Sequence, residues 1–149
     1  MTTDLHEPIR LGPITITFSV LAEESNGSAT VSRCDVEAGA GLPVPHFHNE
    51  FEETLYGLEG TTTLTVDGED IQLGPGDTYC IKRGAVHTFE ARGEATSFLA
   101  VATPGLFGPD YFLELQQAVM DAGGGPPDPR VFGEIMLRHG LTPVPPEAA

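Results

Sequence analysis

The chain has 149 residues, 22 of them acidic and 7 basic, which gives a formal net charge of −15. This length is typical of one domain with its own core, and such an acidic chain is repelled by nucleic-acid phosphates and anionic membrane surfaces. The N-terminus has no basic segment followed by an apolar run, and no apolar run approaches the roughly eighteen residues that span a bilayer. We therefore predict a cytoplasmic protein whose partner is a small-molecule substrate, not nucleic acid or a membrane.

Cysteine usage agrees with that compartment. Cys34 and Cys80 both lie in apolar surroundings and do not form the spacing pattern of a disulfide framework. We predict two buried, reduced thiols.

Short strands are predicted through most of the chain. Residues 14–20 (ITITFSV) alternate apolar and polar side chains with the period of two that is typical of a half-buried strand. Asp67 and Gly68 separate two β-rich runs and predict a type I′ hairpin, because both turn residues tolerate a positive φ. About eight to ten such strands, with no helices between them, indicate an all-β barrel or sandwich.

Two short helices are predicted after the strands. Pro109 lies at the first turn of the first helix, and Gly123 lies just past its end. For the second helix, Asp128 is the predicted N-cap, Pro129 the first helical residue and Gly140 the stop. Phe112 and Leu115 on the first helix are interpreted as packing residues rather than as a substrate lid, although closing the mouth of the barrel would let them do both.

The change of composition at Pro104 divides the chain into three predicted parts. They are a β-barrel over residues 1–104, a helical extension packed on the barrel over 105–140, and an extended tail over 141–149. We predict one domain with an appendage and find no internal repeat.

The stretch PHFHNEFEETLYGLEG contains two histidines and four glutamates within residues 45–60. Residues two apart in a strand point to the same face, so His46 and His48 would face together. Two imidazoles on one face are half of a metal site. The pattern alone is weak, because histidine pairs also occur in exposed loops.

Three glutamates compete to be the carboxylate ligand. A straight strand would place Glu50 and Glu52 on the face of the histidines and turn Glu53 away. However, Asn49 and the glutamates that follow it favour a turn or bulge over a central strand. A bend there would reset the alternation and let Glu53 begin the next strand, so the residues alone leave the choice open.

These residues resemble the two sequence motifs of the cupin family. The first cupin motif pairs an HxH with a glutamate four or five residues on and a later glycine, and this chain has His46-x-His48-x4-Glu53-x6-Gly60. The second motif places a histidine after a PGD turn, and the run PGDTYCIKRGAVH ends at His87. The match is specific, because four candidate ligand residues occur at family spacing in two separate parts of the chain.

The resemblance covers roughly residues 35–103, and two C-terminal runs (PGLFGPDYF and RHGLTPVPP) are similar to small, single-domain, quercetinase-like bacterial cupins. It implies an all-β, cupin-type antiparallel barrel or jelly roll with two short C-terminal α-helices, assembled as a homodimer. It also implies that His46, His48, Glu53 and His87 bind one divalent transition metal per chain, whether Fe, Ni, Mn, Co or Zn.

Three functions are compatible with that ligand set. The resemblance favours a metal-dependent dioxygenase of a phenolic or enediol, flavonol-like molecule, with Glu53 also acting as the catalytic base. A non-redox cyclase or isomerase of aromatic polyketide-like compounds is the first alternative. A non-catalytic module that binds a metal and a small ligand is the second. Glu50 and Glu52 are interpreted as a solvated acidic turn, and Tyr56 as a core residue.

Overall fold

The computed structural model describes residues 4–42, 44–125 and 127–144. Within these ranges, eleven strands and two α-helices are present, and the strands form two antiparallel sheets. The all-β jelly-roll fold class predicted from the sequence is therefore confirmed. The first three residues and residues 145–149, which include most of the predicted tail, lie outside the described part.

One sheet has six strands and the other has five. The strands are numbered in chain order. In spatial order, the six-stranded sheet consists of β1 (Ile9–Leu11), β2 (Ile14–Val20), β3 (Thr30–Val36), β10 (Thr96–Thr103), β5 (Glu52–Glu59) and β8 (Thr78–Ile81). The five-stranded sheet consists of β11 (Leu141–Pro143), β4 (His46–His48), β9 (His87–Glu90), β6 (Thr62–Val66) and β7 (Glu69–Leu73).

The predicted alternation and hairpin are both present. Ile14, Ile16 and Phe18 are buried while the threonines between them are half-buried, so β2 covers the core with one face. Asp67 and Gly68 have φ values of 49° and 85°, as a type I′ turn between β6 and β7 requires. Local chemistry thus determines these elements without help from the rest of the fold.

The structure contains two short strands that the sequence did not indicate, β1 and β11. Each has only three residues, too few for an alternating pattern to stand out. β11 includes Pro143, which is tolerated because β11 is the edge strand of its sheet. It pairs with β4, and backbone hydrogen bonds beyond the pairing, Asn49 N to Gly140 O at 2.9 Å and Val144 N to Pro45 O at 2.8 Å, extend the contact.

The two helices begin where the sequence predicts. α1 spans Pro109–Asp121 and α2 spans Pro129–Arg138, each with proline at its start. The Asp128 carboxylate caps α2 by accepting a hydrogen bond from the backbone N of Arg130 at 2.8 Å. Neither described helix has the length and hydropathy that a bilayer crossing requires.

Both helices pack on the barrel through apolar side chains. The rings of Phe112 on α1 and Phe18 on β2 lie 5.8 Å apart, and Met136 on α2 is fully buried. The helices are joined to each other where the carboxylate of Glu114 meets the side chains of Arg138 and His139. The extension therefore shares the core of the barrel.

Two burial predictions are wrong, and the reason is the same for both. Cys80 is exposed although Cys34 is buried, and Tyr56 is exposed on the outer face of its strand. β5 and β8 are paired at one edge of the six-stranded sheet. Leu55 and Ile81 are buried, and the residues next to them, Tyr56 and Cys80, point to the opposite, outer face of the sheet. Their apolar character therefore does not bury them.

Met136→Ala tests whether α2 belongs to the core. We expect the substitution to lower the free energy of unfolding by about 2–5 kcal/mol, because a fully buried side chain leaves a cavity. The control is Leu137→Ala at the next residue, which is 58% exposed and should change the same quantity by no more than about 0.5 kcal/mol. Urea denaturation measures both; equal, small changes would show that α2 does not pack on the barrel.

Candidate metal centre

Three histidines meet on the inner face of the five-stranded sheet. His46 and His48 lie on β4, and His87 on β9 is directly opposite His46 in the register of the two strands. All three side chains are buried, and they offer ligand atoms that all lie within 4.8 Å of one another. The two sequence motifs therefore converge in space through a single strand pairing.

Hydrogen bonds fix the orientation of two of the rings. Nδ1 of His46 donates to the carbonyl of Val44 at 3.1 Å, and Nδ1 of His87 donates to the carbonyl of Ala85 at 2.9 Å. A carbonyl only accepts, so Nδ1 carries the proton and Nε2 keeps a free lone pair. This tautomer is the one that ligates a metal through Nε2.

His48 provides the test of whether a metal fits. Both of its ring nitrogens are enclosed, and neither forms a hydrogen bond with any residue in the described ranges. The ring stacks on Phe51 with centroids 4.4 Å apart, and Phe107 lies beside it. Since buried polar atoms are normally satisfied, an unpartnered imidazole next to two others is well suited to a metal ion.

Burial keeps the imidazoles neutral. It lowers the pKa of His46 to about 3 and that of His48 to about 2, with a smaller contribution from the charge of neighbouring histidines. The pKa of His87 is also lowered, chiefly by burial. Neutral rings have the lone pairs that a divalent transition metal needs.

Glu53 approaches this group from the opposite sheet. The chain leaves β4, crosses between the sheets over residues 49–51 and enters β5, so the alternation restarts as the sequence analysis anticipated. The Glu53 side chain is only 12% exposed, and its Oε1 lies 3.6 Å from Nε2 of His48. That distance is a contact and too long for a hydrogen bond. Burial raises the pKa of Glu53 to about 7.

The two competing glutamates point elsewhere. Glu50 is exposed in the crossing segment. Glu52 is the first residue of β5 and is paired with Arg83, whose guanidinium nitrogen lies 2.8 Å from Glu52 Oε1. Glu52 therefore lies in a strand and not in a turn as predicted, but it remains partly solvated while it pairs with Arg83.

The glycine of the first motif, Gly60, has a structural role in the backbone turn. Gly60 has a φ of +64°, and a Cβ added there would lie 2.5 Å from the carbonyl oxygen of Ala95. Only glycine fits this turn between β5 and β6 without strain. It therefore positions the strand that carries Glu53 and takes no part in the site itself.

A cavity of about 770 Å³ opens onto the histidines. His46, His87 and Glu53 line its polar end. Most of the remaining wall is apolar and comes from both sheets and both helices, as in Ile16, Leu55, Phe98, Phe112, Leu115 and Phe132. A cavity of this size is suited to a small organic ligand that buries most of its surface.

The sequence analysis did not select two residues of this cavity, Tyr111 and Cys34. Both line the cavity and are buried. The signal for Cys34 was its position on the inner face of a predicted strand. Tyr111 precedes Phe112 on α1, and its position in the sequence alone did not mark it as a residue of the site.

Comparison with known proteins identifies the barrel. Residues 32–102 match the family model described as Cupin domain. A stretch of 68 residues is 41% identical to quercetin 2,3-dioxygenase of Bacillus subtilis (strain 168), covering 46% of this chain and 20% of that protein. A stretch of 67 residues is 37% identical to an uncharacterized protein of Aquifex aeolicus (strain VF5), covering 45% of this chain and 55% of that protein.

A solved structure with this architecture is the polyketide cyclase RemF from Streptomyces resistomycificus. It is 27% identical with a TM-score of 0.56, over 69% of this chain and 80% of that one. The chain spans less than two thirds of the length of either protein matched by sequence, so the similarity concerns the barrel and its motifs. The part of the β-barrel at residues 32–102 is therefore a cupin domain.

Proposed function

We propose that this cupin binds one divalent transition metal through His46, His48, His87 and Glu53 and acts as a dioxygenase of a phenolic or enediol, flavonol-like molecule. The observation that carries the proposal is the enclosed, unpartnered His48 in a group of three buried histidines at the polar end of an apolar cavity. The similarity to a quercetin 2,3-dioxygenase over the motif-bearing strands supports the same choice.

The ligand set suits such a metal. Three neutral imidazoles and one carboxylate leave a net charge near +1 on a divalent ion, and six-coordinate ions then keep about two positions for other ligands. A divalent metal there would supply Lewis acidity and, for a redox-active ion, electron transfer to oxygen. Dioxygenation adds both oxygen atoms of O2 to the substrate, so the reaction requires no external reductant.

The protein residues would contribute position and proton transfer. The apolar wall excludes water and holds an aromatic ring with its hydroxyl toward the histidines. The ionised form of Glu53 accepts the proton of that hydroxyl, and the electron pair of the O–H bond stays on the substrate oxygen. Burial raises the pKa of Glu53, and a more basic carboxylate is a better proton acceptor.

A non-redox cyclase or isomerase of aromatic polyketide-like compounds is the second candidate. The observation that favours it is the structural likeness to a polyketide cyclase, whose chain is covered more fully than that of the dioxygenase. Both candidates use the same cavity and the same ligands on a phenol or enol. They differ in whether oxygen is consumed.

Oxygen consumption separates these functions. We expect tag-free protein to contain about one transition-metal ion per chain, to consume oxygen when a flavonol such as quercetin is added, and to lose this activity on metal removal by a chelator and regain it on reconstitution. An oxygen electrode and elemental analysis give the readouts. Turnover of a polyketide-like phenol under strict anaerobiosis would favour the cyclase, and binding without any product would favour a non-catalytic module.

Exchanging single glutamates tests the carboxylate. We expect Glu53→Gln to weaken metal affinity by at least about tenfold, because it replaces the ionisable group beside His48 with a neutral amide. Glu52→Gln and Glu50→Gln are the matched controls and should leave the affinity almost unchanged, since neither side chain faces the histidines. Competitive titration with a chromogenic chelator measures all three, and equal losses would exclude Glu53 as the ligand.

Exchanging single histidines tests whether both motifs bind the same ion. His87→Ala and His46→Ala should reduce the metal content to a similar extent, because the two rings lie opposite each other with ligand atoms in one group. His6→Ala is the control, since His6 lies on the surface and bonds to Phe18 and Glu24 instead. Full metal content in the His87 variant would mean that the second motif does not contribute.

A further inference from the structure

Tyr111 lines the cavity that contains the candidate metal ligands. It is in the first turn of α1, only 3% of its surface is exposed, and it lines the same cavity as His46, His87 and Glu53. Neither cupin motif includes it, because it lies in the C-terminal run PGLFGPDYF at the start of the helical extension. A tyrosine at a buried position carries a hydroxyl that must find a partner.

Aromatic neighbours hold the ring of Tyr111 in place. Its centroid lies 5.0 Å from that of Phe112, and 5.5 Å from those of both Phe107 and His139. The segment that leads into α1 is anchored as well, since Thr30 Oγ1 donates to the carbonyl of Phe107 at 2.7 Å. The ring is therefore fixed before any ligand binds, and a fixed donor loses little entropy on binding.

The hydroxyl of Tyr111 has no partner in the described part of the chain. No hydrogen bond joins it to a residue in these ranges. In the described part of the chain, the fully enclosed side-chain polar atoms without a partner are the two ring nitrogens of His48, so the Tyr111 hydroxyl is not fully enclosed. The residue that carries this hydroxyl lines the cavity. Phenylalanine would fill the same space without leaving a polar group unsatisfied.

The hydroxyl lies within the influence of Glu53. Burial raises the pKa of Tyr111 above its usual range, and the negative charge of Glu53 raises it further. At neutral pH the hydroxyl consequently stays protonated and is a donor. It thus complements the acceptor side of the site, where Glu53 and the free imidazole lone pairs lie.

We propose that Tyr111 donates a hydrogen bond to the oxygen of the phenolic or enediol substrate. The assignment depends on the proposed function and adds to it the residue that recognises the substrate oxygen. A donor aimed at the developing oxyanion favours the ionised substrate, because hydrogen bonds to charged acceptors are stronger than those to neutral ones. Tyr111 is thereby a determinant of specificity for ligands with an acidic hydroxyl.

Tyr111→Phe is the decisive variant, because it removes one oxygen and keeps the ring. The matched control is Tyr79→Phe, which removes a hydroxyl from a half-buried tyrosine on β8 that does not line the cavity. Metal-loaded proteins are titrated anaerobically with quercetin, with catechol as a minimal diphenol and with flavone, which lacks the hydroxyls. Dissociation constants, the absorption spectrum of the bound ligand, metal content and melting temperature are recorded.

We expect Tyr111→Phe to bind quercetin and catechol about tenfold more weakly, the fold-change that corresponds to one hydrogen bond to a charged acceptor. Its bound ligand should show less of the ionised spectrum, while flavone affinity, metal content and melting temperature stay close to those of the parent. Tyr79→Phe should resemble the parent throughout.

Two results would overturn the assignment. Unchanged affinity and spectrum in Tyr111→Phe would show that the hydroxyl does not touch the ligand, and an equal loss for flavone would reduce Tyr111 to a packing residue. If the parent protein binds a metal but neither quercetin nor catechol, the proposed function fails first, and the role of Tyr111 falls with it.

Discussion

The passage of the chain from one sheet to the other over residues 49–51 is the constraint on which the site depends. It places the histidines of β4 on one inner face and Glu53 on the facing one, so the site exists only when the two sheets are packed together. Phe51 anchors the crossing, because it is buried and stacks against His48. The Phe51 ring is thus part of the buried core and also holds the candidate ligand His48 in place.

Burial at this place acts in opposite directions on the two kinds of ligand. It lowers the pKa of His46 and His48, and it raises that of Glu53, so every group is driven toward its neutral form. A neutral imidazole is ready to bind a cation, whereas a carboxyl held near neutrality gains its charge only with a partner. The apolar cavity and the proposed metal are in this sense complementary, since the interior penalises an isolated charge and a cation would compensate it.

Sequence alone identified the elements whose signals are local. The hairpin at Asp67 and Gly68, the alternation of β2 and the cap of α2 at Asp128 follow from φ preferences, side-chain alternation and capping chemistry, and all three are present. The inward position of Glu53 could not be predicted from local signals, because side-chain alternation along a straight strand favours Glu52. The crossing between sheets explains why Glu53, and not Glu52, faces the histidines.

Features that depend on distant partners could not be predicted in this way. Whether Cys80 is exposed depends on which face of an edge strand meets the core, and apolar neighbours in sequence do not determine that. Tyr111 enters the cavity only because α1 folds over the barrel. The pairing of β11 with β4 cannot be predicted from the sequence of β11, which has only three residues and contains a proline. Each of these results from tertiary contacts that have no local sequence period.

The position of β11 has a consequence for the order of assembly. The strand with His46 and His48 is covered along one edge by Leu141–Pro143, and the hydroxyl of Thr142 reaches Asn49 across 93 positions of sequence. Contacts this distant in sequence form late, after shorter loops have closed. During synthesis on the ribosome, the first motif therefore emerges long before the strand that completes its sheet. The histidine pair would reach its final geometry only once residues 141–143 have left the ribosome, so that a metal captured earlier would meet an unfinished site.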